Sequence, residues 1–126
     1  MKEKKLLDSS VWIEIFRKGP LSSLCKKELN SSSNILVPTL VIYEVYRKIA
    51  QTLSEDVALS AIALLSQHTV VDLNRDIALL AADISISHKL GMADSMILAH
   101  AKESHAKLIS LDNDFSSISD AKVLRA

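Results

Sequence analysis

The chain has 126 residues, its 15 Lys and Arg residues balance 15 Asp and Glu residues, and 48% of it is hydrophobic. This size and composition predict one folded domain over residues 1–126, and the low content of 2 Gly and 2 Pro argues against a loop-rich or disordered chain. A net charge near zero provides no general basic surface for nucleic acid, although acids gathered into one site would leave the remaining surface more basic.

The first half of the chain alternates between apolar runs and turn-forming residues. In chain order we expect a strand at 4–8, a helix from 9 or 10 to about 17, a helix at 21–30, a strand at 35–37 and a helix at 40–52. Ser9 or Ser10 is the expected N-cap of the first helix, and Thr39 that of the third. The serine-rich stretch 31–34 is expected to be a loop.

The second half continues this alternation. We expect a helix capped by Ser54, a strand at 69–73, a helix at 75–90 capped by Asn74, a helix at 92–104, a strand at 107–111 and a short strand at 122–124. Gly91 is expected to adopt the left-handed conformation that ends a helix. Strands that alternate with helices predict an α/β domain with a mainly parallel sheet.

No segment predicts export or membrane insertion. The basic start is followed by only Leu6 and Leu7 before Asp8, so a signal peptide is not expected. The longest uncharged stretch, residues 57–71, is too short to span a bilayer. Cys25 is the single cysteine and cannot form an internal disulfide, which fits a reducing compartment. We therefore expect a cytoplasmic protein without membrane contact.

Acidic residues interrupt or end four apolar segments. They are Asp8, Glu44, Asp94 and the pair Asp112 and Asp114. A carboxylate beside core residues is costly to desolvate unless it is paired, hydrogen-bonded or bound to a metal. Ligands of open α/β sheets bind beyond the carboxyl ends of the strands, and Asp8 and Asp112 end predicted strands. Asp94 shares a helix face with apolar residues and should point inward.

Each acid also has an interpretation that needs no ligand. Asp8 could cap the following helix, and Asp94 could favour its helix through the dipole. Glu44 could pair with Lys48 four residues further on. Residues 112–114 could form an Asx-type turn. Considered jointly, the acids favour a carboxylate-rich site for Mg²⁺ or Mn²⁺, and the reaction that such a site suits best is phosphodiester hydrolysis.

Other site chemistries fit poorly. The run from Asp112 resembles the start of a calcium loop, but Ser117 replaces the required glycine and Val123 stands in place of the bidentate glutamate. Cys25 has no evident histidine partner, so no nucleophilic role is expected. The histidines lack the spacing of a metal motif and are expected to be exposed or structural: His68, His88, His100 and His105.

The acids lie within four motifs. These are Leu-Leu-Asp-Ser-Ser-Val-Trp at 6–12, Pro-Thr-Leu-Val-Ile-Tyr-Glu-Val at 38–45, Ala-Asp-Ser-Met-Ile-Leu-Ala-His-Ala at 93–101 and Leu-Ile-Ser-Leu-Asp-Asn-Asp-Phe at 108–115. In this order and spacing they resemble the successive motifs of PIN domains, in particular those of the small VapC-type toxins. The likeness covers about residues 5–115.

The resemblance implies a three-layer, Rossmann-like fold with strand order 3-2-1-4-5. It implies a Mg²⁺- or Mn²⁺-dependent endoribonuclease that cleaves RNA, usually a homodimer, held inactive by a small antitoxin whose tail enters the active site. It also implies that the catalytic and metal-binding acids are Asp8, Glu44, Asp94 and Asp112, with Asp114 as the alternative fourth ligand. Asp112 is favoured because it ends its strand. Ser9 is expected to hydrogen-bond a ligand carboxylate or a water.

Other residues near these motifs have two possible interpretations each. Arg17 and Arg47 are candidates for contacts with the RNA backbone, and ordinary solvated charges explain them equally well. Trp12 and Phe16 are expected to pack in the core or in a dimer interface rather than to stack on bases. The alternative functions are a binding module of the same fold without turnover, and a housekeeping metal-dependent nuclease.

Overall fold

A computed structural model describes residues 3–126. Met1 and Lys2, which begin the predicted single domain, lie outside the described residues. The strands are β1 Glu3–Leu7, β2 Ser32–Pro38, β3 Thr69–Val71, β4 Lys107–Ser110 and β5 Ala121–Val123. The helices are α1 Ser9–Phe16, α2 Ser22–Asn30, α3 Thr39–Thr52, α4 Glu55–Leu65, α5 Arg75–His88 and α6 Met92–Glu103, and a 3₁₀ helix covers Asn113–Phe115.

The strands form one five-stranded sheet in the order β3-β2-β1-β4-β5, and all neighbouring pairs are parallel. In the central strand β1, Leu6 pairs with Leu36 on one side and with Leu108 on the other. All three leucines are buried, as expected for a parallel sheet that helices cover. The structure thus confirms the predicted α/β class and strand order 3-2-1-4-5, and the sheet is parallel throughout.

The helices pack against the sheet and against one another. α1 contacts α2 and α3, α3 contacts α4, and α5 contacts α6. In α3 the apolar stripe of Val41, Val45 and Ile49 is fully buried, because a spacing of four residues places these side chains on one face. No helix within residues 3–126 is long and apolar enough to cross a membrane.

Helix caps agree with the sequence where a side chain alone determines them. Ser54 Oγ accepts a hydrogen bond from the Val57 amide at 3.1 Å, and Asn74 Oδ1 accepts one from the Ile77 amide at 2.9 Å, so both predicted caps are confirmed. The predicted Thr39 cap is wrong by one position, because Pro38 is the N-cap and Thr39 already begins α3.

The junction of α5 and α6 differs from the prediction. Lys89, not Gly91, adopts the left-handed conformation with φ 57° and ψ 36°, and its amide donates to the Ser85 carbonyl. Gly91 has φ −65° and is the N-cap of α6. The Leu90 carbonyl accepts hydrogen bonds from the Ser85 and Ser95 hydroxyls. The chain therefore turns before Leu90, and Gly91 is not needed for the reversal.

The predicted loop at 31–34 is largely wrong, because β2 begins at Ser32. The Ser32 hydroxyl donates to the Glu28 carbonyl at 2.7 Å, which fixes the strand start against the end of α2. Ser32 pairs with Glu3 and Asn34 pairs with Lys4, with a register shift between these two pairs. Polar residues at an exposed strand start are indistinguishable from a loop when only the sequence is considered.

Candidate metal centre

Asp8 follows β1 and is the N-cap of α1. Its Oδ1 accepts hydrogen bonds from the Ser10 amide at 3.1 Å, the Ser10 hydroxyl at 2.5 Å and the Val11 amide at 3.4 Å. The predicted caps Ser9 and Ser10 are therefore wrong, because the Asp8 carboxylate already reaches the free amides of the first turn. The capping interpretation of Asp8 is therefore correct. The other carboxylate oxygen, Oδ2, does not cap the helix and accepts a hydrogen bond from the Ser110 hydroxyl at 2.5 Å.

The Asp8 side chain is almost wholly enclosed, with 4% of the residue exposed. Burial raises the pKa of its carboxyl above the ordinary value, and the Ser10 and Ser110 hydroxyls and the amides of the first turn offset part of that rise. A carboxylate oxygen offers about two acceptor positions, so Oδ2 retains capacity for one further partner.

Two serines join Asp8 to the segment that follows β4. The Ser110 hydroxyl donates to Asp8 and accepts from the Asp112 amide at 2.9 Å. The Ser10 hydroxyl likewise donates to Asp8 and accepts from the Leu111 amide at 3.0 Å. Ser10 was predicted only as a helix cap, and Ser110 was not predicted to take part in the site. A polar residue at the buried end of the apolar run 108–110 was the available signal for Ser110.

Glu44 lies in α3 and is partly buried. Among the described residues its Oε1 has no hydrogen-bond partner although this atom is buried. Burial raises the pKa of its carboxyl, the Ser9 hydroxyl lowers it in part, and the Asp8 charge raises it again. No ion pair with Lys48 is found within residues 3–126, so that alternative interpretation of Glu44 is wrong.

Asp94, Asp112 and Asp114 come together at the edge of the sheet. Each offers a carboxylate oxygen, and these atoms lie within 4.8 Å of one another. Asp94 is in the first turn of α6, and the two other acids flank Asn113 at the start of the 3₁₀ helix. Burial, followed by the charges of neighbouring acids, raises the pKa of Asp94 to about 6.

Asp112 and Asp114, the two candidates for the fourth metal-binding acid, both lie in the cluster. Asp112 Oδ1 accepts from the Asp114 amide at 2.9 Å, so the Asx-type turn is present, and both residues still belong to the cluster. The reason for favouring Asp112 was wrong, because β4 ends at Ser110 and Asp112 lies two residues beyond it.

These residues fit a divalent cation. Three carboxylate oxygens within 4.8 Å approach the spacing of about 4 Å expected for oxygens on opposite sides of Mg²⁺. The charges of Asp8, Glu44, Asp112 and Asp114 all raise the pKa of Asp94, which is the repulsion that a cation would relieve. The unpartnered Glu44 Oε1 adds an acceptor. Hard oxygen donors of this kind suit Mg²⁺ or Mn²⁺.

The remaining predicted residues lie in two environments. Trp12 is 2% exposed, and its ring stacks on that of Phe16 with centroids 6.1 Å apart, so Trp12 is a core residue as predicted. Arg17 and Arg47 are exposed. Cys25 is buried, and burial followed by the charge of Glu14 raises the pKa of its thiol to about 11, which disfavours a nucleophilic thiolate.

The histidines stay outside the acidic cluster. His100 is buried in α6, and burial lowers its pKa, so a neutral ring is favoured there. His68 is partly buried against the Trp12 ring, with centroids 5.7 Å apart. His88 and His105 are exposed. Within the described part of the chain, no histidine belongs to a group of potential metal ligands.

Comparison with protein families gives one assignment over most of the chain. The model of the PIN domain family matches residues 5–121. A search of curated protein sequences gives no match.

Several solved structures share the fold. A toxin-antitoxin complex from Klebsiella pneumoniae matches with a TM-score of 0.81 and 22% identity, over 94% of this chain and 96% of that chain. VapC20 from Mycobacterium tuberculosis, described as a toxin that cleaves the sarcin-ricin loop, matches with a TM-score of 0.77 and 18% identity, over 90% and 94% of the two chains. DNA-bound VapBC from Salmonella typhimurium matches with a TM-score of 0.76 and 17% identity, over 98% of both chains.

Proposed function

The chain belongs to the PIN domain family, and from that premise we propose that it is a Mg²⁺- or Mn²⁺-dependent endoribonuclease, the toxin of a toxin-antitoxin pair. The observation that carries the proposal is the meeting of Asp94, Asp112 and Asp114 at one point of the sheet edge. The solved toxins of similar fold support the same activity, since one of them is described as cleaving the sarcin-ricin loop.

We assign the acids to the metal as follows. Asp94, Asp112 and Asp114 would hold the ion directly, Asp8 would contribute Oδ2, and Glu44 would take part through the water that its Oε1 orients. Oδ1 of Asp8 is not assigned, because three donors of the first turn of α1 already occupy it. When bound, the ion supplies an activated water and neutralises charge on the phosphodiester.

The protein's own groups have distinct tasks. The Glu44 Oε1 atom is assigned to orienting the attacking water, since this buried acceptor lacks a partner among residues 3–126. Burial raises the pKa of Glu44 overall, and the Ser9 hydroxyl offsets part of that rise in favour of the ionised carboxylate that this task requires. The serine-linked Asp8 keeps the end of β1 at a fixed position relative to the segment that carries Asp112.

Cleavage of RNA with Mg²⁺, Mn²⁺ or EDTA tests the proposal. The wild type is expected to cut with either ion and to stop in EDTA. Asp8→Asn and Asp94→Asn are expected to lose at least about 100-fold in rate, because each removes a ligand worth several kcal/mol in the transition state. Asp83→Asn, an exposed residue of α5, serves as the control and should cut like the wild type. Cutting that survives EDTA and both substitutions would contradict a metal-dependent nuclease.

Growth on expression separates a toxin from a housekeeping nuclease. A toxin is expected to arrest growth, and Asp94→Asn should relieve the arrest while Asp83→Asn should not. A non-catalytic binding module would instead bind RNA in the cleavage assay without any product in either metal. Normal growth together with metal-dependent cleavage would favour the housekeeping alternative.

The partners proposed with this function are an RNA substrate, a small antitoxin and a second copy of the chain. The structural relatives support an antitoxin, since several of them are toxin-antitoxin complexes. Exposed large apolar side chains on α5 and α6 support a second copy, since Leu79, Ile86 and Met92 are 62%, 79% and 74% exposed. The cytoplasmic location and the single domain stay predictions.

A further inference from the structure

Arg125 contacts both ends of the 3₁₀ helix Asn113–Phe115, which Asp112 precedes and Asp114 belongs to. Its Nη1 donates to Asn113 Oδ1 at 2.8 Å, and its Nη2 donates to Ser116 Oγ at 3.0 Å. The Leu124 amide donates to the Ser110 carbonyl at 2.8 Å, which brings the segment after β5 alongside the end of β4. The guanidinium is therefore held by two neutral side chains at the edge of the acidic cluster.

The Arg125 guanidinium forms no ion pair within residues 3–126, although it lies close to acidic residues. Among residues 3–126 no carboxylate oxygen lies within 4.0 Å of it, although Asp112 and Asp114 flank the Asn113 that holds it. The groups that shift the Asp94 pKa are likewise only burial and other acids. The Arg125 guanidinium therefore lies next to the acidic cluster without forming an ion pair with any of its carboxylates.

The groups around Arg125 that still lack a hydrogen-bond partner are mainly donors. Arginine can only donate, so the amide oxygen of Asn113 must face it and the Asn113 NH₂ group is left over. Ser116 Oγ accepts from Arg125, so its hydroxyl hydrogen is left over as well. Within the described chain these leftover donors have no other partner. Several donors around one fixed guanidinium match the oxygens of a phosphate.

We propose that Arg125, Asn113 and Ser116 form a phosphate-binding site for the RNA strand, next to the acidic cluster. It would take a phosphate that flanks the one to be cleaved, because Asn113 separates two of the acids assigned to the metal. This inference rests on the proposed function, since it assigns a second contact to the same substrate. The competing interpretation is that Arg125 only ties the 3₁₀ helix to the end of β5.

The salt dependence of RNA binding distinguishes the two interpretations. Each phosphate contact with a single strand contributes about 0.7 to the slope of log K against log salt concentration. We would measure the fluorescence anisotropy of a labelled, single-stranded RNA 12-mer of mixed sequence at constant Mg²⁺, in an Asp94→Asn background that limits cleavage. Arg125→Gln, Arg125→Lys and the control Arg75→Gln, at the exposed start of α5, would be compared with this background.

Arg125→Gln is expected to weaken binding by about three- to tenfold and to reduce the slope by about 0.7, because one phosphate contact is lost. Arg125→Lys should keep most of the slope, since the charge remains, and Arg75→Gln should match the background. A slope that Arg125→Gln leaves unchanged overturns the site, and so does the absence of RNA binding by the background protein. A lower melting temperature with an unchanged slope would identify Arg125 as a structural tie.

Wild-type cleavage is measured in the same preparations, so that the two proposals can fail separately. Metal-dependent cleavage together with an unchanged slope overturns the Arg125 site alone. Absence of cleavage by the wild type overturns the nuclease, while a reduced slope in Arg125→Gln would still support a phosphate contact at this place.

Discussion

Ser110 and Ser10 each donate a hydrogen bond to Asp8 and accept one from a backbone amide beyond β4. A hydroxyl suits this place because it donates and accepts at the same time. Ser110 is fully buried and Asp8 is 4% exposed, so without the hydroxyl the Asp8 carboxylate would lose a donor where little water can replace it. The geometry of the acids therefore depends on side chains that carry no charge.

The first prediction concerns Ser110→Ala. We expect Mn²⁺ affinity, measured by calorimetry, to fall by about 10- to 100-fold, as is typical when a group that orients a metal ligand is lost. The free energy of unfolding should also fall by about 1–3 kcal/mol, because a buried carboxylate and an amide lose their partner. Ser87→Ala, on the exposed side of α5, is the control. Equal Mn²⁺ affinity in the wild type and Ser110→Ala would contradict the positioning role.

The second prediction concerns pH and Asp94. The pKa of Asp94 is raised to about 6 in the folded protein, from an ordinary 3.8, by burial and by neighbouring acids. Between these two pH values the folded state holds more protons than the unfolded state, so the metal-free protein should lose stability as the pH rises from about 4 to above 6. The loss should be about 1–2 kcal/mol after solvent screening.

Thermal melts in EDTA between about pH 4 and 8 check this expectation. His100 acts in the opposite sense, because burial lowers its pKa and the unfolded state then holds more protons below about pH 6.5. The difference between the wild type and Asp94→Asn isolates the Asp94 contribution. Asp94→Asn should be the more stable protein at pH 7, and the two should converge towards pH 4. Parallel curves for the two proteins would refute the raised pKa.

At the scale of elements, α2 is joined to the sheet through a buried lysine. Lys5 of β1 is 6% exposed, and its Nζ lies 2.8 Å from Glu28 Oε1 and 2.9 Å from Ser31 Oγ. Glu28 Oε2 also contacts Lys122 Nζ of β5 at 2.7 Å. Burial works against the Glu28 charge, but hydrogen bonds and charges from the two lysines outweigh it and lower the pKa of Glu28.

The third prediction is that Glu28→Gln destabilises the protein by about 2–3 kcal/mol, because the Lys5 ammonium stays buried without its counter-charge. Lys122→Gln should cost less than about 1 kcal/mol, since the Lys122 side chain is 54% exposed. Urea denaturation of the two variants, which remove opposite charges from the same cluster, measures both values. Equal and small losses would show that Lys5 does not need the Glu28 carboxylate.

Elements could be predicted from the sequence where one residue type determines the local geometry. The apolar runs that became β1, β2 and β4 and the Ser54 and Asn74 caps are of this kind. The left-handed turn at Lys89 depends instead on two serine hydroxyls that hold the Leu90 carbonyl, one of them from the next helix. A prediction from the neighbouring residues alone therefore assigned the turn to Gly91, which was wrong.

The candidate site could be predicted in part for the same reason. The acids carry a strong signal, because carboxylates are rare beside core residues. The choice between Asp112 and Asp114 depended on where β4 ends, and strand ends are poorly defined by sequence. Ser110 and Arg125 were missed because their partners lie 102 and 12 residues away, at Asp8 and Asn113.

At the scale of the whole molecule, most of the exposed large apolar side chains fall into two groups by element, and Leu24, Val70 and Leu73 lie outside both. One is the patch of Leu79, Ile86 and Met92 on α5 and α6. The other lies on α3 and α4 and the turn between them, and its members are Tyr43, Leu53, Val57, Leu59 and Leu64. Two surfaces of this kind fit a protein with two protein partners, which the proposed function supplies as a second copy and an antitoxin.

The fourth prediction assigns the α5–α6 patch to self-association, because Ile86 and Met92 are the two most exposed of the large apolar residues described. Ile86→Lys is expected to convert a dimer into a monomer in sedimentation velocity experiments, since it would bury a charge in the interface. Leu59→Lys, which places the same charge on α4, should leave the dimer intact. A dimer that survives Ile86→Lys and is lost in Leu59→Lys would reverse the assignment.

The clustered acids are proposed to make this chain a metal-dependent ribonuclease. The most direct measurement is the rate of RNA cleavage by one wild-type preparation, first in EDTA and then during titration with Mn²⁺, with Asp94→Asn beside it. We predict no cleavage in EDTA, a rate that rises and saturates with Mn²⁺, and at least about a 100-fold lower rate for Asp94→Asn. Cleavage that is equally fast in EDTA, or equally fast in Asp94→Asn, would contradict the account.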